Sequence, residues 1–570
     1  MTELQRRVLD ILLEIDCLCR EHDIEYYLAA GSSIGAVRHH GFLPWDDDAD
    51  VYMTYSNWEK FRKLSDLLPD DRELITVDNG DYTSEYTINR YADISTTRMY
   101  RYLCSSPQPA GIAVDIIVLD PVPDNEADIR QHVIDLTEYS DYLIAACAHG
   151  TRCPYDLNDE KILEMGRKIG RTTMLDQLKE RSERFKDTTG GVLIQRDPTV
   201  PHVWKEDVFG KPQYVKFEDT ELPIAAKPYL QLTGAFNEDW MYVPDSVNRE
   251  EHIKGVIYGI SSNNPMDDYL NTIDAEEVRR NLVKLTQETN LLAPLNKEQS
   301  RKRLQFAGAK AKLTYRKRGV NIDALKQWTE QRDHEKLDDY FDEYKAIQGH
   351  KELVGGVAVK DWLMSQDPYY IDISDEFLYY FLRNLMHGPN LGKARVILQA
   401  RLNEKEPTEQ ICELKQLIDS CNRLSDRMEQ GAYEEIVEEL TQLYQRYPEN
   451  LRIQQLYFAC KYYLADSEEE INDLKNEIEN LPECDRNDSV VQCILAEILE
   501  KMECQKEALA IYDAITQTSN HGLVLIHIKE KMESSNDPEG QRIAEQAAIR
   551  LGSPSEYAED DDDDEAEDEE

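Results

Sequence analysis

The chain has 570 residues, of which 41% are hydrophobic, enough for several cores; at roughly 150 residues per domain this implies two to four domains. Asp and Glu number 112 against 65 Lys and Arg, a net charge of −47. A surface this negative repels phosphate backbones and excludes nucleic acid as a partner unless a local basic patch overrides the field. The 11 cysteines are odd in number and show no paired spacing, so neither a disulfide framework nor a zinc site is indicated, and reduced thiols fit a cytosol. The first residues, MTELQRRVLDILLEID, are charged throughout and lack the apolar core and cleavage site of an export signal. No stretch reaches the roughly 20 apolar residues of a membrane span. The expected location is cytoplasmic, with any membrane contact peripheral and at the inner membrane face.

In chain order, residues 3–22 read as an amphipathic helix, because Leu4, Val8, Ile11, Leu12, Ile15 and Cys19 recur at three- and four-residue steps. Ile24 to Ala30 reads as a short strand, Gly31-Ser32-Ser33 as a turn, Ile34 to Arg38 as a short helix and Phe42 to Trp45 as a loop. Asp48 to Met53 alternates as a strand, with Asp48, Asp50 and Tyr52 on one face. Ile112 to Leu119 is an apolar run interrupted by Asp115, as expected of a strand buried on both faces. Helices and strands alternate to about residue 255, which predicts an α/β or α+β domain over 1–255. Residues 256–372 read as a helical connector carrying a basic stretch from Lys297 to Arg318. That stretch reads either as a solvated helix face or as an attractor for an anionic surface.

From residue 373 the pattern is all-α and repetitive. Gly431 to Ile436, followed by Tyr447-Pro448-Glu449-Asn450, resembles a tetratricopeptide repeat. Helix cores recur from Ile436 to Ile471, Ala508 and Ala544, at steps near the roughly 34 residues of that repeat class. Stacking such hairpins over 373–557 would bury the apolar face that each leaves open and could hold a protein partner. Residues 558–570 are almost all acidic and read as a disordered tail.

The chemistry concentrates in Gly31 to Val51, GSSIGAVRHHGFLPWDDDADV. Asp46, Asp47, Asp48 and Asp50 fall within five residues of one another, a charge density that demands a neutralising cation. Asp46-Asp47 alone reads as an exposed acidic turn. Asp48 and Asp50 leave one strand face with roots roughly 6.6 Å apart, a spacing that suits Mg2+ or a pair of such ions. Gly31-Ser32 ahead of a helix can turn backbone N–H groups toward a phosphate. A third carboxylate is then expected on a neighbouring strand, and Asp115 is the candidate. Arg38 offers a planar fork for phosphate oxygens, and His39 or His40 a proton donor; simple surface exposure remains the other reading of each histidine.

The run GSSIGAVRHHGFLPWDDDADVYM resembles the LicD family, whose usual pattern is Gly-Thr-Leu-Leu-Gly-Ala-Val-Arg-His-x-Gly-Phe-Ile-Pro-Trp-Asp-Asp-Asp-x-Asp. Arg90, Asp93 and Thr97 are similar to that family's charged strand pair. Val114 to Asp120 resembles its Ile-Asp-Ile-Phe-Pro-Leu-Asp element, with Ile117-Val118 in place of Phe-Pro. Phe217-Glu218-Asp219, Leu222 to Ile224, Tyr229-Leu230 and His252 resemble its closing segment. The resemblance covers residues 1–255. It implies a nucleotidyltransferase fold and transfer of phosphocholine, or a related phospho-alcohol such as ribitol phosphate, from CDP-choline or another CDP-alcohol to a sugar or glycan acceptor. It places the metal, Mg2+ or Mn2+, on Asp48, Asp50 and Asp115, and the donor phosphates on Gly31, Ser32, Arg38, His39 and Arg90. Two other readings stand beside it: nucleotidylyl transfer with release of pyrophosphate, and a non-catalytic adaptor working through its helical repeats.

Overall fold

The structure, a computed structural model, describes residues 1–76, 88–100, 111–147, 168–196, 202–244, 256–259, 321–341 apart from 335, 375–386, 394–395, 398, 401–402, and 406–552 apart from 536. Helix α1, Glu3–Glu21, starts at a reciprocal cap: Thr2 Oγ1 accepts the Gln5 N–H at 3.1 Å, and Gln5 Oε1 accepts the Thr2 N–H at 2.9 Å. Its stripe of Leu4, Val8, Ile11, Leu12, Ile15 and Cys19 is buried, each apolar side chain contributing about 2 kcal/mol.

Strand β1 is only Tyr27–Leu28, shorter than the sequence suggests, because Ala30 takes a positive φ of 42° and opens helix α2, Ala30–Arg38. Strand β2, Asp50–Thr54, leads into helix α3, Tyr55–Phe61. Strands β3, Arg72–Ile75, β4, Asn89–Asp93, and β5, Thr97–Tyr100, follow. The long strand β6 is Ile112–Val122. Helices α4, Glu126–Cys147, and α5, Arg171–Ser182, precede strands β7, Val192–Gln195, and β8, Val203–Lys205. The hairpin of β9, Gln213–Phe217, and β10, Thr220–Ile224, leads to helix α6, Pro228–Phe236, and a 3-10 turn at Asn237–Met241.

The main sheet runs β1-β2-β6-β4-β3. Only β2 and β6 pair in parallel; the other ladders are antiparallel, so the sheet is mixed. Leu119 pairs with both Thr54 and Gln195, which puts β7 on the β4 side of β6. Strand β6 is buried on both faces. Val114, Ile116 and Val118 join the core beneath α1 and α3, while Ile117 and Leu119 join an aromatic cluster of Tyr27, Tyr52, Trp204 and Phe209. Asp115 and Asp50 share the parity of this second face.

Val256–Gly259, the first residues of the expected helical connector, form strand β11 and pair with β5 instead. The basic stretch 297–318, His252 and the acidic tail lie outside the described residues. Helices α7, Ile322–Gln331, and α8, Asp375–Leu385, share a core with α9, Glu409–Glu429. From there to residue 552 the described residues are mainly helical. Helices α10, Tyr433–Arg446, α11, Leu451–Leu464, and α12, Glu468–Glu479, precede a short helix α13, Glu483–Arg486. Helices α14, Ser489–Lys501, α15, Gln505–Thr518, α16, Gly522–Glu533, and α17, Pro538–Arg550, complete the array. The recurring positions Ile436, Ile471, Ala508 and Ala544 lie in one buried cluster. No helix among the described residues is long and apolar enough to cross a membrane.

Candidate active site

Helix α2 gives the site its shape. Its first turn contains Gly31, Ser32 and Ser33, which the sequence alone suggests as a turn. Ser32 Oγ accepts the Asp50 N–H at 3.0 Å and ties the helix start to the start of β2. Ser33 Oγ donates to Gln231 Oε1 at 2.9 Å and ties it to α6. At Gly31 the Asp46 carboxylate approaches so closely that a Cβ would stand 2.4 Å from Asp46 Oδ2. Glycine permits that approach, and it brings a carboxylate to the positive end of a helix.

The acids form two groupings that meet where β2 begins. Asp46, Asp47 and Asp48 offer carboxylate oxygens within 4.8 Å of one another. Asp47 is buried and Asp46 half-buried, so these two are not the exposed turn that their sequence suggests. Burial, followed by the neighbouring Asp48 and Asp47 carboxylates, pushes the Asp46 carboxyl well above the usual carboxylate range. The second grouping is a row across three strands. Asp50 faces Asp115 in the parallel ladder, and Asp115 faces Arg90 in the antiparallel one. Arg90 Nε donates to Asp115 Oδ1 at 2.8 Å. The strand begins at Asp50 and not at Asp48, although the Ala49 carbonyl still accepts the Asp115 N–H at 2.9 Å. Asp48 therefore belongs to the loop with Asp46 and Asp47. Hard carboxylate oxygens at this spacing, with one acid pushed toward its protonated form by burial and then by like charges, fit a divalent cation such as Mg2+.

Residues 23–105 match the family model described as LicD/FKTN/FKRP, nucleotidyltransferase domain. This stretch is similar to a LicD-family domain. Over 61 residues the chain is 46% identical to the lipopolysaccharide cholinephosphotransferase LicD of Haemophilus influenzae, a span of 11% of this chain and 23% of that protein. The match thus covers less than a quarter of the relative's length. No solved structure matches this chain. The family model ends short of Asp115, whose tie to the LicD domain is the β2–β6 ladder.

Within the LicD domain the far end of α2 is held by other parts of the chain. Arg38 is buried, and its Nη1 donates to the Trp240 and Tyr242 carbonyls at 2.7 and 2.6 Å. Its guanidinium also lies 5.9 Å from the Trp45 ring. His39 Nε2 contacts the Leu551 carbonyl at 3.2 Å, and its ring meets Trp45 edge-on. His40 Nδ1 pairs with Glu530 Oε1 at 2.6 Å. The β9–β10 hairpin supports the following loop, since Glu218 Oε1 accepts the Phe42 N–H at 3.0 Å. The structure thus brings Asp50, Asp115 and Arg90 into one row and sets Gly31 against Asp46. It places the Arg38 and His39 side chains against main-chain carbonyls. Sequence reasoning passed over Asp46 and Asp47 as candidate ligands. The available signal was Gly31, a glycine in the first turn of a helix beside an acidic run.

Proposed function

We propose that residues 1–255 form a nucleotidyltransferase-fold enzyme that moves phosphocholine, or a related phospho-alcohol, from a CDP-linked donor to a sugar hydroxyl of a cell-surface glycan or its precursor. The observation that carries this reading is the cluster of Asp46, Asp47 and Asp48 beside the start of α2, followed in the chain by Asp50, which pairs with Asp115 in the β2–β6 ladder, in a stretch similar to a cholinephosphotransferase. Asp48, Asp50 and Asp115 would hold Mg2+ or Mn2+, with Asp46 and Asp47 within reach, and the bound ion would neutralise the donor diphosphate.

The chain's own groups do the rest. The first-turn N–H groups of α2, at Gly31 and Ser32, face the donor phosphates. The acceptor oxygen bonds to the phosphorus that carries the alcohol. The bond from that phosphorus to the bridging oxygen breaks, and CMP leaves with the electron pair. Asp115 takes the acceptor proton, and Arg90 holds one of its oxygens in place. Arg38 and His39 act through the shape of the loop, because their contacts are with carbonyls. The C-terminal helices, in tetratricopeptide-like hairpins, give a surface for a protein partner, and the enzyme works on the cytoplasmic side.

The test is the full chain with Mg2+ given, in turn, a panel of CDP-alcohols and a panel of nucleoside triphosphates, scored separately for CMP and pyrophosphate. CMP release with one alcohol supports the reading and names the donor. Pyrophosphate release from a nucleoside triphosphate would identify nucleotidylyl transfer, and neither product would leave an adaptor protein.

A further inference from the structure

We propose that helix α16 and the end of α17, some 500 residues from the signature loop, are its positioning elements. The C-terminal array would then be a working part of the N-terminal site as well as a partner-binding module. The inference rests on the functional reading above only for its activity readout.

Helix α16 has two buried faces. Val524, Ile528 and Met532 point into the core of the helical array. Leu525 and Ile526 point the other way, into a cluster with Val243, Leu551 and Trp45. Leu523 joins Ile34, Leu43, Trp240 and Met241 of the LicD domain. The last hairpin of a free-standing array needs a polar outer face; here the outer face is apolar and the LicD domain covers it.

The contact continues in the backbone. Val243 N–H donates to the Asn520 carbonyl at 2.7 Å, and Tyr242 and His521 form a β-bridge. Gly522 lies so near Arg38 that a Cβ would stand 2.4 Å from Arg38 Cδ. What is gripped falls in two segments, residues 34 to 45, directly ahead of Asp46, and residues 240 to 243, whose carbonyls hold Arg38. Trp45 is the residue before the acids, and its ring is packed by Leu525, Ile526 and Leu551. The surface pair of His40 with Glu530 adds little, because exposed ion pairs are weak. The apolar contact and the buried arginine dominate.

Three variants of the full chain decide the matter. Leu525→Ala opens a cavity beside Trp45, and Gly522→Ala displaces Arg38. Ile478→Ala opens a cavity in the core of the array that does not face the LicD domain. Hydrogen exchange of the amides from residue 43 to 50 is measured in each, with kcat and KM for CMP release. Leu525→Ala and Gly522→Ala are expected to speed exchange in this segment about tenfold or more, while Ile478→Ala leaves it within about twofold. In the first two, kcat should fall about tenfold to a hundredfold with donor KM changed less than about threefold, since small misplacements of reacting groups cost rate steeply. Unchanged exchange in Leu525→Ala and Gly522→Ala overturns the proposal. Equal acceleration in all three also overturns it, because the effect is then loss of global stability. If the wild-type chain releases no CMP from any CDP-alcohol, the transferase reading falls and the exchange data still decide this one.

Discussion

Two aspartates from one half of the molecule, one buried and one half-buried, sit in opposite electrostatic settings. Asp120, near the end of β6, receives Arg196 Nε at 2.8 Å and Nη2 at 2.6 Å, and His132 Nε2 at 3.2 Å. Burial pushes its carboxyl up, but Arg196 and His132 outweigh that and hold it below the ordinary range. Asp46, beside the start of β2, has Asp47 and Asp48 as its closest charged neighbours, and its carboxyl is driven well up. The first acid is neutralised by the chain itself. The second is crowded by like charge at the start of a helix, and its carboxyl is pushed toward the protonated form. At Asp120, away from other acids, the matched arginine and histidine point to structure; acids that crowd one another, as Asp46, Asp47 and Asp48 do, are where a ligand is expected.

The largest expected effect tests the crowded end. Asp50→Asn should lower CMP release about a thousandfold or more, the scale of losing electrostatic stabilisation of a developing charge, with the thermal melt nearly unchanged. Retained turnover would dissolve the contrast. Asp120→Ala should do the reverse: unfolding in urea should show a loss of about 3–5 kcal/mol, because Arg196 is left buried without its partner, while turnover per folded molecule stays near wild type. Gly31→Ala lies between the two. Its new methyl meets the Asp46 carboxylate, so kcat should fall by about tenfold or more and stability by about 1–3 kcal/mol, read by steady-state assay and melt.

His521 extends the contrast to a base. Burial, with Arg452 and Arg38 nearby, lowers its pKa from 6.5 to about 3, and its ring lies against Tyr242. The unfolded chain therefore takes up a proton before the folded one does. The stability this histidine contributes is full above about pH 6.5 and is lost as pH falls toward 3, by up to about 1.4 kcal/mol per pH unit. Urea titrations of the wild type and of His521→Phe across that window should differ by this slope. Parallel curves would mean that the imidazole is open to water.

Much of this architecture could be read from residue order, because local pattern dictates it. The three- and four-residue steps of Leu4 to Cys19 specify α1, and the apolar run around Asp115 specifies a strand covered on both sides. The ladder that sets Asp50 beside Asp115 is parallel, and α3 and strands β3 to β5 lie in the connection between its two strands. Contacts distant in sequence left no such trace. Nothing in the neighbourhood of Arg38 announces carbonyl partners at 240 and 242 or a glycine at 522. Nothing near Asp46 and Asp47 shows that they turn inward, since acidic runs are commonly solvated. Strand ends were misjudged where helix α2 intrudes: the positive φ of Ala30 ends β1 early, and Asp48 stays in the loop.

The array of helices touches the N-terminal α/β region at both of its ends. Near its start, Lys227 and the Tyr229 N–H meet Asp426 and Glu429 of α9. At its finish, α16 and α17 meet Trp45 and His39. The helices between these two contacts are therefore anchored at each end against the same α/β region. A change in their number would have to be absorbed without moving either anchor.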